Sequence, residues 1–407
     1  MNIDHPSQTR ECTSCQMCGA VCPTGAISIR LDKYGFYRPA VNPEKCIDCG
    51  LCVKNCYKFD DQIRISETFE DKNLYSAWAK DKEVVASTTS GGIADILVEK
   101  LISQGYKCIG IEYDADRNLA VAKVATTREE TISFRGSKYI QAYTSEAFKQ
   151  FVRNHKKERF AVFGLPCQIY AIDKFLRTNG NRDNHLLIDL YCHGCPSINI
   201  WKKYIDDIVK ANDCNKVVSV NFRSKERGWG NYYVTALLDG VRGRKTYTSP
   251  RINDPFYTLF FSDMTLNGSC YDCQLRSTLE YTDIRLGDFW GNKFIRNHTG
   301  VSAISVCTEH GEKVFDSITN EIECNTQSFA SFIPFQSYGK NYHCDAATRN
   351  TLLEKLSSKD TSLKDIVETY NNSLSFKKRM IIELKNIVKL LPNSLQSSLK
   401  ALFYKAN

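Results

Sequence analysis

The chain has 407 residues, 18 of them cysteine, with a quarter of all residues charged and a formal net charge of +8. That length is too great for one small electron carrier and fits two or three domains, and the composition is that of an ordinary globular protein. From Ser375 to Asn407 seven basic residues meet one acid, which leaves only +2 for the rest of the chain, so a nucleic-acid surface is excluded.

The first residues, MNIDHPSQTRE, are polar and lack the apolar core of a secretory signal. No stretch approaches the roughly 18 apolar residues of a membrane-spanning helix. Many cysteines without an export signal predict a reducing, cytoplasmic setting.

The next segment carries two spaced runs, Cys12-x2-Cys15-x2-Cys18-x3-Cys22 and Cys46-x2-Cys49-x2-Cys52-x3-Cys56. This is the spacing of two-cluster bacterial ferredoxins, in which three thiolates wrap one corner of a cubane and the fourth crosses to the other cluster. Cys12, Cys15, Cys18 and Cys56 are therefore expected on one [4Fe-4S] cluster, and Cys46, Cys49, Cys52 and Cys22 on the other. The fourth cysteine of each run is expected to open a helix. Zinc needs one set of four ligands, not two interlocked sets, and a disulfide framework needs an oxidising compartment. Ala26–Ile29 and Tyr34–Tyr37 read as a hairpin, with a further strand expected around Ile63 to Ser66. Residues 1–66 thus form an α+β, ferredoxin-like unit.

From residue 67 to 345 strand-like runs alternate with helical ones, which predicts an α/β domain with a mixed sheet. The expected strands are Tyr75–Ala79, Cys108–Tyr113, Leu119–Ala125, Phe160–Phe163, Leu186–Leu190, Val217–Phe222, Tyr232–Leu238 and Ala303–Cys307. The expected helices are Ile93–Ser103, Ser145–His155, Gln168–Thr178 and Ile198–Ala211. Neither a G-x-G-x-x-G nor a P-loop is present, which argues against an ordinary nicotinamide enzyme. Ser90-Gly91-Gly92 opens the Ile93 helix and could offer backbone N–H groups to a pyrophosphate; a simple N-cap explains Ser90 as well. Cys167 and Cys192 each follow a predicted strand, where parallel sheets place ligand sites. With Cys270 and Cys273 they could hold a third cluster, and zinc on Cys192, Cys195, Cys270 and Cys273 satisfies the same spacing.

Residues 346–407 read as a basic helical tail. Ile381, Leu384, Ile387, Val388 and Leu391 form an apolar stripe beside lysines, which suits a helix docked on its own domain or a partner subunit, or an anionic membrane surface on the cytoplasmic side.

Seven blocks in order carry a resemblance: Ser90-Gly91-Gly92, Arg135-Gly136-Ser137-Lys138-Tyr139, Gly164-Leu165-Pro166-Cys167-Gln168, Asp189-x2-Cys192-His193-Gly194, Phe222-Arg223-x-Lys225-x2-Gly228-Trp229, Cys270-x2-Cys273, and Asp283-Ile284-x2-Gly287-Asp288-Phe289-Trp290. Together they resemble the family of coenzyme F420 hydrogenase/dehydrogenase beta subunits over about residues 70 to 300. The resemblance implies a non-covalent FAD and a further [4Fe-4S] cluster on Cys167, Cys192, Cys270 and Cys273. It implies that Ser90, Gly91, Gly92, Ser137 and Lys138 line the flavin. Lys138 near the flavin would stabilise the charge of the reduced ring. Arg223, Lys225 and Arg227 could clamp an anionic substrate or the FAD phosphates.

The expected activity is an iron–sulfur flavoprotein oxidoreductase relaying electrons between reduced ferredoxin, or another one-electron carrier, and an unidentified substrate. Two alternatives stand beside it: a coenzyme F420 oxidoreductase, alone or as the beta subunit of a hydrogenase or dehydrogenase, and an electron-transfer adaptor without its own substrate.

Overall fold

The computed structural model describes residues 1–65 and 73–405. Its strands are β1 (Ile27–Leu31), β2 (Tyr37–Val41), β3 (Leu74–Ala79), β4 (Lys107–Asp114), β5 (Leu119–Ala125), β6 (Ala142–Tyr143), β7 (Phe160–Phe163), β8 (Leu186–Leu190), β9 (Cys214–Ser224), β10 (Tyr233–Gly240), β11 (Gly243–Thr248), β12 (Ile284–Asp288), β13 (Ser302–Val306) and β14 (Ile322–Thr326). Nine of them form one mixed sheet in the order β14-β3-β13-β12-β8-β7-β4-β5-β6. Its centre is parallel, β4 to β7, β7 to β8 and β8 to β12, while β13 and β3 run antiparallel to their neighbours.

The central strands are buried on both faces because their residues alternate between two cores. Ala161, Ile188 and Ile284 face a core with Ile93, Leu97 and Leu101 of the helix Ile93–Ser103. Phe160, Val162 and Leu187 face the opposite core with Phe148, Phe151, Ile169 and Ile172, from the helices Ser145–Asn154 and Pro166–Asn179. Met17, Ala20 and Tyr57 of the ferredoxin-like unit join that second core. A third core lies between the small antiparallel sheet β11-β10-β9, the helix Ile198–Ala211 and the helices Ala346–Ser357 and Leu363–Ser373.

Three local expectations are corrected. Tyr34-Gly35-Phe36 forms the turn of the first hairpin, and the second strand starts at Tyr37. Asp32 selects that turn: its Oδ1 accepts from the Tyr34 and Phe36 amides, and Gly35 sits at φ 81°. Gln62–Ile65 is irregular, and Ser66 lies outside the described residues, as does the 66/67 boundary. Both fourth cysteines follow an α-helix: Cys22 caps the C-terminus of Met17–Val21 and opens no helix of its own, whereas Cys56, just after Leu51–Lys54, does open one, the short 3-10 helix Tyr57–Phe59.

Candidate redox site

The two cysteine runs share one backbone conformation. Ser14 and Gln16 flank Cys15 with φ 63° and 68°, and Asp48 and Gly50 flank Cys49 with φ 51° and 75°. Left-handed residues on both sides of the middle cysteine curl the loop and turn its N–H groups inward, the concavity that suits anionic clusters. The resulting cavities sort the cysteines three plus one. One is lined by Cys12, Cys15, Cys18 and Cys56. The other is lined by Cys22, Cys46, Cys49 and Cys52.

The two groups differ in environment. Burial, reinforced by neighbouring thiols, pushes Cys15 up to about 11 and holds Cys18 and Cys56 well above the ordinary thiol range. Such thiols ionise only against compensating positive charge, which metal supplies. Around Cys22, burial raises the thiol, but hydrogen bonds from Thr24, Ala26 and Ile27 outweigh it and bring it down. The outer group is nearer solvent: Cys49 is exposed, and the adjacent Ile47 is 65% exposed.

The inner group abuts the second cysteine constellation. Cys167 is the second residue of the helix Pro166–Asn179, directly after β7, and Cys192 follows β8. Burial holds Cys167 far above its ordinary value, and the next contribution comes from Cys15, ahead of Cys192 and Cys273. Burial likewise pushes Cys192 up to about 12 and Cys270 to about 11, with Arg276 opposing both. Cys195 belongs to the same neighbourhood, raised by burial and by Cys270 and Cys192. Its backbone N–H donates to Cys270 Sγ at 3.4 Å. Among the described residues, no three Cys, His, Asp or Glu side chains gather tightly enough for a single metal ion.

The ferredoxin-like unit is fastened at this seam. Gln16 is left-handed in its backbone, and its Oε1 accepts from Thr144 N at 2.9 Å and Ser145 N at 3.1 Å, capping the helix Ser145–Asn154. Ser14 Oγ accepts from Asn267 Nδ2 at 3.0 Å, and Arg10 Nη2 donates to Gln274 Oε1 at 2.9 Å. Both tie cluster loops to the segment that carries Cys270 and Cys273.

The remaining expected residues meet at the carboxyl ends of the parallel strands, the usual ligand edge of such a sheet. Ser90 Oγ donates to Val301 O at 2.8 Å, and Gly91 N donates to Ser302 Oγ at 3.0 Å. A Cβ on Gly91 would stand 2.4 Å from Ala77 O, so only glycine fits this crossing. Gly92 caps the Ile93 helix at φ 87°. Ser137 N donates to Thr89 Oγ1 at 2.8 Å, which brings the second block to the first. Lys138 Nζ donates to the Ser133, Phe134 and Arg135 carbonyls at 3.0, 3.1 and 3.0 Å. Burial draws its ammonium down to about 7, against Glu112. Lys225 pins the glycine loop by donating to Ser90 O at 3.0 Å, Thr299 O at 2.7 Å and Val85 O.

Arg223 is 3% exposed, and its Nη1 bonds Asp288 and Tyr139. Among the described residues, its Nε and Nη2 are buried without a hydrogen-bond partner. That edge is the fork with which Arg135 grips Asp95 and Arg285 grips Asp189. Asp288 and Trp290 build the surrounding corner: Asp288 Oδ1 accepts from Trp229 Nε1 at 3.2 Å, and the two indoles stack at 4.5 Å. The Arg285–Asp189 pair across β12 and β8 and the Gln16 cap have no local sequence signature, because their partners are 96 and more than 120 residues away.

Comparisons with known proteins place three family models along the chain. Residues 11–58 match a 4Fe-4S dicluster domain. Residues 74–149 match the N-terminal domain of coenzyme F420 hydrogenase/dehydrogenase beta subunits, and residues 157–331 match their C-terminal domain. A subunit of the F(420)H(2) dehydrogenase of Methanosarcina mazei is 26% identical over 330 residues, covering 77% of this chain and 83% of that protein. The beta subunit of the coenzyme F420 hydrogenase of Methanococcus voltae is 26% identical over 252 residues, covering 59% and 82%. A chain of the F420-reducing [NiFe] hydrogenase complex from Methanosarcina barkeri overlaps 74% of this chain and 90% of its own, at 17% identity and a TM-score of 0.44. Among the described residues, no helix is long and apolar enough to cross a membrane. The chain is an oxidoreductase-type protein with a 4Fe-4S dicluster domain, and it belongs to the family of coenzyme F420 hydrogenase/dehydrogenase beta subunits.

Proposed function

We propose that this chain is an iron–sulfur flavoprotein oxidoreductase relaying electrons between a one-electron carrier, such as a reduced ferredoxin, and a two-electron substrate. The observation that carries the reading is the three-plus-one sorting of the cysteines into two cavities beside a third, buried cysteine group. In this reading Cys12, Cys15, Cys18 and Cys56 hold the inner cluster, and Cys22, Cys46, Cys49 and Cys52 the outer one. Cys167, Cys192, Cys270 and Cys273 hold the third.

Thiolates on one zinc would lie about 3.8 Å apart, given Zn–S bonds of about 2.3 Å. A cubane spreads its four over a wider shell, so the iron and zinc content separates the two. The Cys195 amide donates to Cys270 Sγ, a hydrogen bond to a ligand sulfur that leaves the Cys195 thiol unused.

FAD, when bound, supplies the conversion between one- and two-electron chemistry. The orphaned fork of Arg223 is the feature that fits it, a buried donor pair shaped for two oxygens of a phosphate or carboxylate. Ser90, Gly91, Gly92 and Ser137 frame the same edge. Lys138 braces that frame through three carbonyls. The relatives' names favour coenzyme F420 as the two-electron substrate.

Anaerobic purification with iron, zinc and flavin assayed together tests the proposal: about twelve irons and one FAD per chain are expected. About eight irons with one zinc would replace the third cluster by a zinc site. Cys167→Ala should lose about four irons and Cys195→Ala almost none. Bound flavin that bleaches with reduced F420 supports the F420 reading. A chain purified without flavin and unable to bind it leaves the adaptor role.

A further inference from the structure

Among the described residues, the helix Phe376–Leu390 touches the body along one side only. Asn386 is buried and its Nδ2 donates to Asn253 Oδ1 at 2.8 Å, and Ile382 packs against the third core. At 100° per residue the opposite face collects Phe376, Met380, Ile381, Leu384 and Ile387. They are 78, 50, 42, 59 and 58% exposed. Scattered exposed leucines need no explanation, but five large apolar side chains in one stripe on one helix do.

We propose that this helix lies on an anionic lipid surface, its apolar stripe at the acyl boundary and Lys377, Lys378 and Lys385 among the headgroups. Charge complementarity selects the occupant. The helix carries five basic residues and one acid, and Lys377, Lys378 and Lys385 are exposed along or inside the stripe. Lysine is depleted at protein–protein interfaces, because its ammonium loses hydration there without gaining a fixed geometry. On a lipid surface the same side chain lays its stem along the apolar zone and keeps the ammonium in the headgroup layer. Phenylalanine and leucine on one face with lysine within and beside it matches helices lying in the membrane plane. The attachment is peripheral, since no described helix spans a bilayer. It does not depend on the cofactors proposed above.

Flotation of the full-length protein with vesicles tests this. Binding is expected to vesicles containing about 30% phosphatidylglycerol in phosphatidylcholine, and little to phosphatidylcholine alone, with loss at high salt. Lys377→Glu, Lys378→Glu and Lys385→Glu together should weaken binding by at least about 100-fold. Phe376→Ser, Leu384→Ser and Ile387→Ser should abolish it, with unchanged iron content and melting because these side chains face solvent. Failure of the wild type to float with the anionic vesicles overturns the proposal, as does equal binding by the serine variant. A wild-type dimer that the serine variant converts to monomer also overturns it, by giving the stripe to a second copy of the chain.

Discussion

At the scale of single residues, the site depends on groups whose partners lie far off in sequence. Cys56 lies 38 residues beyond Cys18, yet it shares a cavity with Cys12, Cys15 and Cys18 and not with Cys52. Crossed ligation makes a sharp double-mutant expectation. Cys12→Ser with Cys56→Ser should lose no more than the about four irons of either single variant, whereas Cys52→Ser with Cys56→Ser should lose about eight. Iron analysis of anaerobic protein reads the difference. His185 illustrates a different dependence. It is fully buried, its Nδ1 accepts from Phe160 N at 3.1 Å, and its Nε2 donates to His155 O at 3.0 Å. The neutral ring satisfies both bonds, and burial pulls its pKa down to about 4. The unfolded chain protonates this histidine from about 6.5, so stability falls as pH drops from about 6.5 to about 4, by about 3 kcal/mol from this group. Urea midpoints across that range should fall less steeply for His185→Gln than for the wild type.

At the scale of elements, regular strands and helices were legible wherever an apolar run met a turn signal. β5, β7 and β8, and the helices Ile93–Ser103 and Ile198–Ala211, begin and end where the periodicity places them. β12 escaped because Arg285 interrupts its apolar run, and only the pairing with Asp189 on β8 makes a buried arginine tolerable. β14 escaped because it is a polar edge strand, Ile-Glu-Cys-Asn-Thr, with one buried residue. The Ser145 helix was expected, but not its cap, which comes from a residue of the first cluster loop. Gln16→Leu removes that cap and leaves the Thr144 and Ser145 amides buried without an acceptor. A loss of about 1–3 kcal/mol is expected in denaturant unfolding. Gly91→Ala would force a methyl group against the Ala77 carbonyl and should cost about 1–3 kcal/mol by the same measurement.

At the scale of the whole molecule, the helical C-terminal region divides in two. Leu352, Leu353, Leu356, Leu363, Ile366 and Tyr370 are at most 8% exposed and complete the third core. Among the described residues, the following helices meet the body mainly through polar contacts, such as Asn393 to Asn231 at 2.7 Å and Arg251 to the Leu391 carbonyl at 2.9 Å. A chain ending at Leu374 should melt within a few degrees of the full-length protein. A chain ending at Asp345 gives up these six core side chains and Leu374, roughly 10 kcal/mol of transfer free energy, which rivals the whole stability of a domain. It should be insoluble, and soluble expression with thermal melting of both truncations checks this.

The sequence by itself determined the elements with short-range causes. The cysteine spacings follow from the reach of a loop around a cluster corner, and the strand and helix periods follow from local backbone geometry. Both are written within a dozen residues. Only the tertiary structure decided that the first cluster loop abuts Cys167 and that Arg223 keeps a buried donor fork open. It also decided that half of the tail belongs to the core. Those facts depend on which surfaces meet. Surfaces meet through burial and hydrogen bonding between residues a hundred or more positions apart, which no local period encodes.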